Sequence, residues 1–435
     1  MSDARLRGFV ALLLVALGSA AFAIAFRASV HSASQLLFGT GNLLDVLRRL
    51  HWWECLLLSL SSGVLAWGVL GLSARFKQSA SVGKVMEAVA IGRGTMSAPA
   101  TAFKALASWI AMGGGASIGR EGPLIQFGGA LGSSLSRWFS LDGKQHRALV
   151  AAGTAAGFAA AYNTPLAAML FMVEVVAGVI TLDVLVPAAV ATALASTLTR
   201  WAIGEGPIYG ARAFRLVNDG ELLAFAVLGL LAGVVGAGFI KLLNKGEQTA
   251  GGSSLSLLPK ILLGALGVGL IAIALPEVAG NGFEPLSELL SGKMPLTVVV
   301  ALLLAKPLAT TLSVSSGLPG GVFTPTLLVG ACLGALYGNA LNLFAEGHVA
   351  PATAYALVGL AALCAATTHA PIMAAVLGFE LSGDYAIVLP LVLSSACAVW
   401  VSERLHSSSL YETELQRRGL AWHEAPGERR LVRNG

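Results

Sequence analysis

The chain has 435 residues, of which 56% are hydrophobic and only 12% charged. Soluble domains carry about 25% charged residues, and disordered chains combine low hydrophobicity with high net charge, so both classes are excluded. The formal charge is +5, yet the basic residues fall mostly in short breaks between apolar runs, which is a topology signal and not a nucleic-acid-binding patch. The apolar runs are continuous and do not alternate, which argues against a β-barrel. With 52 glycines, the composition reads as an all-α, polytopic membrane protein of closely packed helices.

Apolar segments are predicted at 8–27, 52–74, 99–118, 121–138, 147–161, 165–181 and 183–202. After a polar break at Gly204–Asn218 they resume at 221–243, 258–275, 295–312, 321–344, 352–367, 370–381 and 384–402. A secretory signal is the alternative reading of the first segment, which follows Arg5 and Arg7. The many later spans favour a first membrane helix. Several segments are too short or too broken by glycine to cross about 30 Å of hydrocarbon alone. Transporters use such interrupted helices near the membrane midplane. The polar stretch Glu247–Ser256 lies near the middle and is read as a linker between halves.

Two halves are also suggested by repeats. Pro123–Gly132 and Pro325–Gly334 share the pattern P-x4-G-x2-L-G at an offset of 202 residues. Pro165–Glu174 and Pro371–Glu380 share P-x8-E at an offset of 206, which Gly153 and Gly359 also keep. Chance similarity of Gly/Ala-rich helices is the alternative, and the preserved order counts against it. A site is expected between the halves.

Three constellations carry chemistry. In Gly113–Pro123 the glycines permit close backbone approach, and Pro123 suits the first turn of a helix. Such a helix start offers free N–H groups and a positive dipole end, which binds anions. Glu121 stands at that start, where its carboxylate can take the anion's place and leave on protonation. It would then be gate and proton acceptor in one group. The bland alternative is a capping carboxylate paired with Arg120. Ser313–Pro325 repeats the glycine-then-proline pattern in the second half, although either copy alone could be an ordinary turn. Ser409–Gly419 contains Tyr411, whose hydroxyl can donate to an anion or whose ring can simply anchor at the interface. The four cysteines stand singly, and the seven histidines form no HxxH pattern, so no metal, cofactor or disulfide framework is expected.

Together these motifs resemble the CLC family of chloride channels and chloride–proton antiporters, over about residues 8 to 419. Gly119-Arg120-Glu121-Gly122-Pro123 is similar to its gating-glutamate motif, Gly320–Pro325 to its G-x-F-x-P motif, and Leu410-Tyr411-Glu412 to its late tyrosine motif. The resemblance implies an inverted-repeat helical fold and a homodimer of two separate pores. It implies that Glu121 is the external gate. The N–H groups of Val322 and Phe323 and the Tyr411 hydroxyl would line the central anion site, and Arg120 and Gly122 would frame an outer one.

Two departures stand out. The family's first motif, G-S-G-I-P, supplies a serine to the central anion. Spacing from Glu121 places its counterpart at Ser79-Ala80-Ser81-Val82-Gly83, so Ala80 replaces the serine, and Ser79 or Ser81 would have to compensate. A hydrogen bond to a charged group contributes about 1.5–3 kcal/mol, which makes the preferred anion open between chloride, nitrate and fluoride. Many family antiporters also carry an internal glutamate on the proton path. Val175 stands there, with Glu174 one residue away. Glu174 reads as a helix-end cap, like its repeat mate Glu380.

The leading expectation is chloride–proton antiport gated by Glu121, in a multi-pass protein of a bacterial inner membrane. Its partners would be chloride or a related monovalent anion, protons, membrane lipid and a second copy of the chain, with no nucleic acid. A passive anion channel is the alternative. A membrane-embedded enzyme using Glu121, Arg120 and Tyr411 is remote, since no nucleophile–histidine pair supports it. The transmembrane domain is expected over 1–419, with halves at about 8–202 and 221–403. Residues 420–435 are expected to form a short cytoplasmic tail without a regulatory domain.

Overall fold

The computed structural model describes residues 3–76, 81–91, 94–178, 181–204, 206, 208–209, 217, 220–345, 348–425 and 428–433. The first half comprises α1 (Asp3–Phe38), α2 (Leu43–Arg49), α3 (Trp52–Arg75), α4 (Val82–Ile91) and α5 (Ala98–Gly113). It continues with α6 (Glu121–Trp138), α7 (Gly143–Tyr162), α8 (Pro165–Phe171) and α9 (Leu182–Ile203). The second half comprises α10 (Glu221–Gly252), α11 (Leu257–Ala274), α12 (Phe283–Leu290), α13 (Leu296–Ser315), α14 (Phe323–Phe344), α15 (Ala352–Thr368), α16 (Pro371–Ser382) and α17 (Val388–Leu405). The chain ends with α18 (Leu410–Arg417) and a hairpin of β1 (Leu420–Ala425) and β2 (Glu428–Arg433). Among the described residues, eight helices are long and apolar enough to cross a membrane. α8, α15 and α16 are shorter.

The expected linker at Glu247–Ser256 is not one. α10 continues through Gly252 and packs on α13, α15 and α17, all of the second half. α10 therefore packs as one helix with its neighbours, and most of the other polar break, Gly204–Asn218, lies outside the described residues. Polar residues at the end of a long helix mimic a linker in sequence because they emerge from the apolar layer.

The repeat is carried by glycine. α6 lies against α7 because an added Cβ on Gly128 would strike the Gly153 carbonyl, and one on Gly132 the Leu149 carbonyl. α14 lies against α15 through the mates Gly330 with Gly359 and Gly334 with Tyr355. Small residues let backbones approach where lipid gives no hydrophobic drive to associate. α7 and α15 both end on left-handed residues, Asn163 at φ 56° and His369 at φ 54°, and a proline-led helix follows each.

Residues 420–425 and 428–433 form a hairpin. β1 and β2 pair antiparallel from Leu420 opposite Arg433 to Ala425 opposite Glu428. Leu420 is buried, and Trp422 and Leu431 pack on the main core.

A buried carboxylate at two converging helix starts

The residues before α6 and α14 meet in a reciprocal pair of backbone hydrogen bonds. The Gly119 N–H donates to the Gly321 carbonyl at 2.6 Å, and the Gly321 N–H to the Gly119 carbonyl at 2.9 Å. This stitch points both helix starts at one place. It also explains the glycines: a Cβ on Gly122 would lie 2.9 Å from the Gly321 nitrogen.

Glu121 fills that place. It is 1% exposed, and its Oε1 accepts from the N–H groups of Phe323 at 2.9 Å and Thr324 at 3.0 Å. Its Oε2 accepts from the Thr324 hydroxyl at 2.7 Å. Thr324 Oγ1 has a single proton, so the Tyr162 hydroxyl, 2.7 Å away, is the donor in the next link. The result is a chain from Tyr162 through Thr324 to Glu121. In sequence Tyr162 is only the residue that follows apolar segment 147–161, and Thr324 is only the spacer between Phe323 and Pro325.

Arg120 is not the partner of Glu121. Its guanidinium donates to the Ala161 carbonyl at 3.3 Å and lies over the Phe283 ring, 5.1 Å from the centroid. Val322 is the N-cap residue of α14, and its N–H is not one of the donors to the carboxylate; Thr324 provides the second one. Tyr411 stands in the first turn of α18 with its ring edge on Phe171 at 5.6 Å. Phe171 stacks on Phe158, which meets Phe323 edge-on. An aromatic wall thus runs from Tyr411 to the gate, and the Tyr411 hydroxyl makes no hydrogen bond to a described residue.

Ser79 and Ala80 lie outside the described residues. Ser81 caps α4, with its Oγ accepting from the Lys84 N–H and from Arg418, both at 3.2 Å. Gly83 has an N–H where proline has none, and it donates to Glu414 of α18 at 3.1 Å. The Gly83 departure therefore ties α4 to the helix that carries Tyr411.

Glu174 accepts from the N–H groups of Ile372 at 3.3 Å and Met373 at 2.6 Å, capping α16. Glu380 accepts from Leu166 at 3.0 Å and Ala167 at 2.8 Å, capping α8. Each half caps the other's short helix. Val175 is 5% exposed in a π-helical turn, Met172–Ala177. Val175 and Glu174 border a cavity of about 680 Å³ that His369, Glu403, Glu412 and Trp422 also line.

The fold and this site define a polytopic membrane protein with a carboxylate seated in an anion cradle of helix-start N–H groups. The voltage gated chloride channel family model matches residues 62–403, and the chain belongs to that family. It is 35% identical to a protein of Ralstonia nicotianae named as ClcB-like, over 93% of this chain and 95% of that one. It is 33% identical to the voltage-gated ClC-type chloride channel ClcB of Escherichia coli, over 90% and 95%. Its fold matches a slow cyanobacterial chloride–proton antiporter with a TM-score of 0.85 at 24% identity, covering 95% of this chain and 98% of that one. It also matches a CLC-type fluoride/proton antiporter with a TM-score of 0.75 at 25% identity, covering 93% and 97%.

Proposed function

We propose that this chain exchanges chloride for protons across a bacterial inner membrane, with Glu121 as external gate and proton acceptor. The observation that carries the reading is the Glu121 carboxylate held by the Phe323 and Thr324 N–H groups and the Thr324 hydroxyl. A carboxylate in that cradle competes directly with an anion for the same donors. Protonation removes the charge the donors hold, so the side chain leaves and an anion takes its place. The Tyr411 hydroxyl and the Phe323 N–H then serve the central anion, and Arg120 and Gly122 frame its outer neighbour. Each chain holds a whole site, in keeping with a homodimer of separate pores embedded in lipid.

A second reading, passive conduction, is favoured by Val175, which puts an apolar side chain at the inner cavity. Reconstitution in liposomes with a chloride gradient, recording chloride and pH together, separates the two. Uphill proton movement driven by chloride supports exchange. Chloride flux without proton movement refutes exchange and leaves a conductor.

A further inference from the structure

A second arginine faces the Arg120 side of the gate. α1 runs antiparallel to α6: an added Cβ on Gly18 would meet Leu131, and Phe22 stacks on Phe127 at 3.7 Å. Continuing that register brings Arg27 to the level of the α6 start. There its guanidinium lies over the same Phe283 ring that Arg120 covers, 5.7 Å from the centroid. Among the described residues Arg27 has no hydrogen-bond or ion-pair partner. Glu284, on the first turn of α12, is near but not bonded to it. Fully buried Lys306 on α13 holds the loop before α12, donating to the Val278 carbonyl at 2.8 Å and the Gly280 carbonyl at 2.9 Å. That fixes the loop leading to Phe283, whose ring both arginines approach.

A cavity of about 370 Å³ borders Arg27, His31, Arg120, Asn281, Phe283 and Glu284. It shares no residue with the cavity beside α18 and β1. An ionisable side chain inside a membrane helix marks a functional site by default. Two guanidinium groups on one ring repel each other, and a monovalent anion between them relieves that repulsion.

We propose that Arg27 and Arg120 form an outer loading site for small monovalent anions, with Glu284 setting its affinity. The inference rests on the anion-transport reading and deepens it. Arg27 would concentrate anions at the mouth and hand them to the gate without touching Glu121.

The test measures external chloride dependence of flux in liposomes of zwitterionic lipid, at low and high ionic strength. Arg27→Gln is expected to raise the half-saturating chloride about tenfold at low ionic strength, with the maximal rate kept and the gap narrowing at high salt. Arg27→Lys keeps the charge and should stay near wild type. Glu284→Gln should shift the value the other way, roughly two- to threefold. It tests the site even if Arg27→Gln fails to fold. An unchanged half-saturating value in a folded Arg27→Gln or Glu284→Gln protein overturns the proposal. So does an Arg27 effect confined to vesicles containing phosphatidylglycerol, which would make a lipid headgroup the occupant. Wild-type protein that carries no anion at all defeats the transport reading instead.

Discussion

Replacing Thr324 with Val removes one of three hydrogen bonds to the Glu121 carboxylate while keeping side-chain shape. The lost bond, 2.7 Å from hydroxyl to Oε2, involves a charge and contributes about 1.5–3 kcal/mol. That favours the displaced carboxylate by roughly 10- to 150-fold. The two backbone donors, Phe323 and Thr324 N–H, remain. Val also leaves the buried Tyr162 hydroxyl without its 2.7 Å partner, which costs about 1–3 kcal/mol of stability. This second effect weighs on both gate positions and does not move the balance between them. Chloride turnover in liposomes should therefore rise at least severalfold at neutral pH, and protons moved per chloride should fall. Thr324→Ser, which keeps the hydroxyl, should behave as wild type. The double variant Tyr162→Phe with Thr324→Val should recover thermal stability and keep the loosened gate. A folded Thr324→Val protein with wild-type turnover and coupling would refute the cradle as what holds the gate shut.

Glu121→Gln mimics the protonated gate. Proton coupling should vanish while chloride flux survives, and continued uphill proton transport would exclude Glu121 as the proton acceptor. At Gly321 an added Cβ would lie 2.5 Å from Glu121 Oε1, so Gly321→Ala should unseat the carboxylate and give uncoupled flux. A coupled Gly321→Ala protein would contradict that geometry. Glu174→Ala removes the cap on α16 and should lower stability by about 0.5–2 kcal/mol. Its coupling ratio should not change; a changed ratio would place Glu174 on the proton path, whereas Val175→Glu is expected to speed proton entry from the inner cavity. Ala80→Ser should shift relative chloride and nitrate transport; an unchanged ratio would show the alignment by spacing to be wrong.

Membrane class, the repeat and the paired glycine–proline helix starts are local or periodic features, so the amino-acid sequence determined them alone. Apolar run length marks spans because hydrocarbon satisfies no backbone group, and the offsets of 202 and 206 mark the halves. The sequence also pointed to Glu121 and Phe323, because a carboxylate beside glycines and a proline is chemically odd in an apolar chain. Tertiary structure decided the partners. Which donors the Glu121 carboxylate finds depends on a stitch between residues 202 positions apart, Gly119 and Gly321. Thr324 and Tyr162 therefore joined the site unannounced, while Arg120 turned away toward Phe283. The same holds for Glu174, whose acceptor role exists only because the other half brings the start of α16 to it. Arg27 is one basic residue in an apolar run until helix register sets it beside Arg120. Periodicity reveals which face of a helix is buried, but only packing reveals what it is buried against.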